Sequence, residues 1–134
     1  MSTEETLVPE IQEILSAHLQ GRPEILFAIL YGSAAEGGPF RDLDIALWVD
    51  RNLAPESQDL DYAFGLADEL ERILPYPVDA RVINDAPLPF RYNVSRGTKL
   101  VVNDDELFYT FLERTWDEYF DFEPVLLQYL RDLR

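Results

Sequence analysis

Gly32-Ser33 and the Asp42-Leu43-Asp44 triplet beyond it are the residues whose types and spacing suit chemistry. An apolar run ends at Gly32-Ser33, a Gly- and Pro-rich loop follows, and the aspartates open a second apolar run. Side chains alternate faces along a strand, so two aspartates separated by one residue project from the same face. Paired carboxylates on a rigid strand suit Mg²⁺, a hard ion that takes oxygen ligands and commonly keeps phosphate as a co-ligand. Gly-Ser at a strand-to-helix turn suits phosphate, because glycine lets the backbone approach and N–H groups at a helix start attract anions. The combination predicts a metal-dependent nucleotide site.

The elements that must position these residues follow from the hydrophobic pattern. Val8, Ile11, Ile14, Leu15 and Leu19 recur at helical spacing, with Pro9 suited to a first turn and Gly21 to a stop. Ile25 to Tyr31 is a continuous apolar run between Pro23 and Gly32, as in a strand buried on both faces. From Asp42 to Val49 the residues alternate. Leu43, Ile45, Leu47 and Val49 are expected to pack on helices, and Asp42, Asp44, Ala46 and Trp48 to share an open face. Residues 57 to 74 predict a helix with Leu60, Phe64, Ala67, Leu70 and Leu74 as its apolar stripe.

A third strand is expected over Val78 to Ile83, with Val78, Ala80 and Val82 packed and Asp79 and Arg81 on the opposite face. A short helix around Phe90 to Ser95, ended by Gly97, and a fourth strand over Thr98 to Val102 come next. Asn103-Asp104-Asp105-Glu106 supplies N-cap candidates for a long final helix that Pro124 kinks or divides. Phe108, Phe111, Leu112, Tyr119, Phe122, Leu126 and Leu130 form its apolar stripe, widened by Tyr109, Trp116, Phe120 and Leu127. Such a stripe is assigned to the core, although its width also leaves surface for a partner. The expected fold class is α/β (α+β): a single domain over residues 1–134, with a small mixed sheet of about four strands, flanking helices and a long C-terminal helix.

Composition sets the outer limits. The 134 residues include 47% hydrophobic residues and carry a formal net charge of −15, which describes a folded, strongly acidic protein. That surface disfavours direct contact with nucleic acid and anionic membranes and favours a basic partner. The chain has no cysteine, which excludes disulfides and thiolate metal sites, and His18 alone gives no Ser-His-Asp triad. The acidic N-terminus lacks the pattern of a signal peptide, and no apolar run reaches spanning length, so the expected location is cytoplasmic.

If the sheet brings Asp79 beside Asp42 and Asp44, three like charges meet and demand a cation. Two divalent ions roughly 4 Å apart would neutralise them and clamp the oxygens of a phosphoryl displacement. Asp42 and Asp44 would then hold metal. Asp79 would complete the second metal site or accept the nucleophile's proton, and Gly32 and Ser33 would hold the nucleotide's phosphates.

This arrangement resembles the polymerase-β-like nucleotidyltransferase superfamily, with its Gly-Ser…Asp-x-Asp signature and a later third acid. More closely, the whole chain looks like the minimal nucleotidyltransferase (MNT) antitoxins. The resemblance rests on Leu30-Tyr31-Gly32-Ser33-Ala34-Ala35-Glu36-Gly37 and Asp42-Leu43-Asp44-Ile45-Ala46, then Arg91-Tyr92, Gly97-Thr98-Lys99-Leu100 and Glu118-Tyr119-Phe120-Asp121-Phe122. It implies a minimal nucleotidyltransferase fold and an antitoxin in a hetero-oligomer with a HEPN-domain ribonuclease toxin. The implied activity is transfer of AMP from ATP, with Mg²⁺, to a tyrosine of that toxin. By position, Asp42, Asp44 and Asp79 match the acidic triad, and Gly32 and Ser33 match the nucleotide-binding turn. The interval from Ser33 to Asp42 is shorter than the family's, and Arg41 stands where serine is common. The alternative reading is an acidic module that neutralises a basic toxin by occlusion alone. Size agrees with a protein acceptor, since no segment remains to cradle a tRNA, a primer or an antibiotic.

Overall fold

The uninterrupted apolar run Ile25–Tyr31 forms strand β1, and every residue of it except Leu26 is buried. Such burial requires cover on both faces. The computed structural model describes residues 3–133 and supplies that cover with helices on each side. In chain order the other elements are α1 (Thr3–Leu19), α2 (Ser33–Glu36), β2 (Leu43–Val49), α3 (Asp59–Glu71), β3 (Val78–Val82), α4 (Leu88–Ser95), β4 (Thr98–Val102) and α5 (Asp105–Asp132). A 3-10 turn at Glu56–Gln58 precedes α3. The four strands form one mixed sheet in the order β3-β2-β1-β4, with β2 and β4 antiparallel to β1 and β3 parallel to β2.

The two faces of the sheet have different cores. On one, Ile11, Leu15 and Leu19 of α1 and Leu66 and Leu70 of α3 pack against Leu30, Leu43, Ile45 and Leu47. On the other, Phe108 and Phe111 of α5 and Val94 of α4 pack against Phe27, Ile29 and Ala46. Ile25 and Ala28 share the first face despite their odd separation, because the register slips between Ile25 and Phe27. That bulge takes one residue out of the alternation.

Several expectations need correction. The helix α1 begins at Thr3, so Pro9 sits inside it rather than in its first turn. Ile14 is exposed while Ile11, Leu15 and Leu19 are buried. On α3 the buried stripe is Ala63, Leu66, Ala67 and Leu70, and Leu60 and Phe64 are 72% and 66% exposed. Both stripes satisfy three- and four-residue spacing, and small alanines on the core side let the helix approach the sheet. Ala46 and Trp48 do not lie on an open face: Ala46 is buried, and Trp48 packs against Phe27 and Phe111.

The final helix departs furthest. It runs through Pro124 as one 28-residue element, capped by Asp104, whose side chain accepts from Leu107 N–H at 3.0 Å. Phe108, Phe111 and Thr115 are its buried residues, and none from Trp116 to Leu133 is buried. At 1.5 Å per residue the helix is about 42 Å long, while a seven-residue strand spans about 23 Å. The helix outruns the sheet that could cover it.

Gly97 shows how tightly α4 turns into β4. A Cβ there would collide with the Leu30 carbonyl oxygen and lie 2.8 Å from Ile29 Cγ2. At Gly65, inside α3, an added Cβ would meet nothing within 4 Å. Gly97→Ala is therefore expected to cost ~1–3 kcal/mol by overpacking, and Gly65→Ala to gain ~0.5–1 kcal/mol from helix propensity. Denaturant midpoints of the two variants measure both effects.

Candidate active site

Parallel pairing of β2 with β3 places Asp44 directly beside Asp79. Antiparallel pairing of β1 with β2 places Tyr31 opposite Asp44, and Gly32 follows Tyr31. All three side chains lie on the face that α4 and α5 cover further along. Those helices reach Phe27, Ile29 and Ala46 but leave the Asp44 end half-open. Phe90 of α4 closes the near side, edge-on to Tyr31 at 5.6 Å between ring centroids.

Gly32 is required by both conformation and space. Its φ of 78° lies in the left-handed region, and a Cβ there would collide with Asp44 Oδ2. Its carbonyl accepts from Ala35 N–H at 3.1 Å and Glu36 N–H at 3.2 Å, starting α2 at the exposed Ser33. The expected strand-to-helix turn is present, and it presses bare backbone against one carboxylate. Ser33, Pro39, Phe40, Arg41 and Asp42 line a recess of about 440 Å³ next to it.

The electrostatics centre on Asp44. Burial first, then the charges of Asp42 and Asp79, hold its carboxyl above the usual carboxylate range, and Arg81 pulls the other way. Tyr31 is pushed up to about 12, by burial and then by Asp44 and Asp79, so its hydroxyl stays protonated at neutral pH. Arg81 contacts Asp79 at 3.4 Å and lies over the Phe90 ring at 5.6 Å. One guanidinium thus faces both Asp79 and Asp44.

These residues fit a hard divalent cation in donor type, since all three acids offer oxygen and their mutual repulsion favours a positive ion. Asp42 lies just before β2 and is exposed, while Asp44 and Asp79 stand in the sheet. Among the described residues no group of three or more His, Cys, Asp or Glu side chains forms a ready-made metal cage. A Mg²⁺ site completed by phosphate oxygens needs only one or two carboxylates from the protein.

Tyr31 and Phe90 join the acids as neighbours that sequence reasoning alone misses. Tyr31 carries a signal in its position one residue before Gly32. Phe90 carries none, because only the packing of α4 brings it there. Arg81 shares Asp79's face as expected, and the structure adds its contacts with Asp79 and Phe90.

A profile of the family "Polymerase beta, Nucleotidyltransferase" matches residues 10–107, a span that holds every residue of this site, and the chain belongs to that family. Its fold is that of chains in solved toxin–antitoxin structures. One, a toxin–antitoxin complex with AMP-PNP, aligns with TM-score 0.68 at 21% identity, covering 92% of this chain and 97% of that one. A second, the toxin–antitoxin MntA-HepT, aligns with TM-score 0.61 at 18% identity over 97% and 96% of the two chains. A third is the Shewanella oneidensis complex of a tri-AMPylated HEPN toxin with an MNT antitoxin, with TM-score 0.61 at 18% identity over 97% and 95%. No curated protein matches the sequence. No helix among the described residues is long and apolar enough to cross a membrane.

Gly37 provides a matched control for Gly32, since its φ is 83° but a Cβ there meets nothing within 4 Å. Gly37→Ala should cost only the left-handed backbone penalty, ~1–2 kcal/mol. Gly32→Ala should cost more and displace Asp44. Calorimetric titration with Mg²⁺ and a non-hydrolysable ATP analogue should show binding lost in Gly32→Ala and kept in Gly37→Ala.

Proposed function

We propose that this chain is an antitoxin that transfers AMP from ATP to a tyrosine of a HEPN-domain toxin. The observation that carries the reading is the Asp44–Asp79 pair set side by side by the β2–β3 register, against Gly32 and near Asp42. Family membership supports nucleotidyl transfer, and the structural relatives support the partner class, since one was solved with AMP-PNP and another with a tri-AMPylated HEPN toxin.

In this reading Gly32 and Ser33 receive the terminal phosphates, Asp42 and Asp44 would hold Mg²⁺, and Asp79 would complete the second metal site or accept the nucleophile's proton. Bound there, the metal would neutralise phosphate charge and polarise the phosphoryl group whose phosphorus is attacked. The tyrosine Oη forms a bond to the α-phosphorus as the bond from that phosphorus to the pyrophosphate oxygen breaks. Pyrophosphate leaves with the electron pair. Asp79, at the outer side of the pair, is placed to take the hydroxyl proton. Arg81 steadies Asp79 through its contact at 3.4 Å.

Occlusion without transfer is favoured by a different observation, the exposed apolar half of α5 with Phe120, Val125 and Tyr129. Intact mass of the co-purifying HEPN-domain partner, incubated with this chain, ATP and Mg²⁺, separates the two. A gain of one or more AMP units that disappears in Asp42→Ala and Asp44→Ala is expected. An unchanged mass in a stable, inhibited complex would replace transfer by occlusion.

A further inference from the structure

Four consecutive residues of β3, Asp79 to Val82, line a groove of about 390 Å³ whose opposite wall includes Leu60 and Phe64 of α3. Side chains of successive strand residues point to opposite faces, so a groove touched by four in a row follows the strand's edge. β3 is the outer strand of the sheet, paired with β2 alone. Its polar backbone groups can be assigned residue by residue. The Pro77 carbonyl accepts from Leu43 N–H at 2.9 Å, and Ile83 N–H donates to the Leu47 carbonyl at 2.9 Å. Alternate residues of a strand turn these groups to opposite sides. Asp79 and Arg81 therefore face β2, and Val78, Ala80 and Val82 face outward.

Val78 N–H is satisfied by Glu71 Oε2 at 2.8 Å. The outward N–H and C=O groups of Ala80 and Val82 have no partner among the described residues. Beside them stand Leu60 and Phe64, the two apolar side chains of α3 that the core does not use. The groove continues into a second recess of about 350 Å³ that reaches Glu56, Asp85 and Phe90. Along this track Arg51 pairs with Asp59 and Asp85, and Arg81 pairs with Asp79. With Glu56 the carboxylates outnumber the arginines, and the track is net negative.

We propose that the free edge of β3 is the docking site for the partner segment that carries the acceptor hydroxyl, bound as an added strand. The inference rests on the transfer reading and adds the acceptor's route to it. Unpaired backbone groups at alternate residues match an extended segment, whereas a helix has already used its own. Leu60 and Phe64 match an apolar side chain of that segment, and the excess of carboxylates matches basic flanks. A second copy of this chain is disfavoured by a net charge of −15 on each. The position leads into the site. An added strand lies about 4.8 Å from β3, and a side chain on Asp79's face would have its Cβ roughly 5 Å from that of Asp79. A tyrosine there would stand on the same face of the sheet as Asp79 and Asp44.

Two kinds of measurement on the complex with the co-purifying HEPN-domain protein test this. Amide hydrogen exchange, read residue by residue, should slow at Ala80 and Val82 on complex formation, while Asp79 and Arg81, already paired to β2, change little. Phe64→Glu and Val82→Pro should reduce AMP transfer to the partner roughly tenfold or more while Mg²⁺-dependent binding of the ATP analogue is kept. Val82→Pro removes an outward donor without taking a hydrogen bond from β2, and Phe64→Glu alters an exposed side chain, so the two guard against a loss caused by misfolding. Unchanged exchange at Ala80 and Val82, or wild-type transfer by both variants, overturns the docking site. Protection at those amides with no AMP added to the partner upholds the docking site and overturns the transfer reading instead.

Discussion

The parallel pairing of β2 with β3 is the constraint on which the rest of the site depends. It sets Asp44 and Asp79 as neighbours on adjacent strands, where like charges directly side by side are unfavourable. The protein offsets that cost only in part, through one exposed arginine, and burial raises it for Asp44. A patch of this kind is stable enough to fold yet remains in deficit of positive charge. A divalent cation, as proposed for this site, would supply the missing positive charge.

Everything around the pair serves to hold it in place. The core on the α1 and α3 face anchors β2 through Leu43, Ile45 and Leu47, residues that alternate with the functional one. The aromatic core of Phe27, Trp48, Phe108 and Phe111 fixes the other face a few residues away and stops short of Asp44. Asn84 clamps the far end of β2, donating to the Val49 carbonyl at 2.9 Å and accepting from Val49 N–H at 3.0 Å. Rigid strands locate the acids, and the one-turn α2 with its glycine locates the open backbone beside them. The same sheet ends in an edge strand next to the site, β3, which carries Asp79.

Local signals in the sequence suffice for the elements that have a single dominant pattern. Ile25–Tyr31 forms a strand over the expected residues because an apolar run of that length between Pro23 and Gly32 has few alternatives, and the short Thr98–Val102 strand also falls where expected, after Gly97. The Gly32 turn is legible for the same reason. What is not legible depends on which elements meet. On α3 and just beyond it, Ala67, Leu70 and Leu74 are buried as expected, but Ala63 and Leu66 take the places expected for Leu60 and Phe64, because alanine gives a weak apolar signal. The tail of α5 reads as core material, but the sequence does not state how far the core extends, and the structure leaves Trp116 onward outside it. The meeting of Asp79 with Asp44 is conditional on strand order, a long-range property, and the register decides it.

The central claim is that Asp44, with Asp79 beside it, requires a divalent cation to accept a nucleotide. Calorimetric titration of a non-hydrolysable ATP analogue, with and without Mg²⁺, into the wild type and Asp44→Asn tests it most directly. Binding is expected in the wild type only when Mg²⁺ is present, and at least roughly tenfold weaker in Asp44→Asn in the same buffer. Equal binding without Mg²⁺, or undiminished binding by Asp44→Asn, would contradict it.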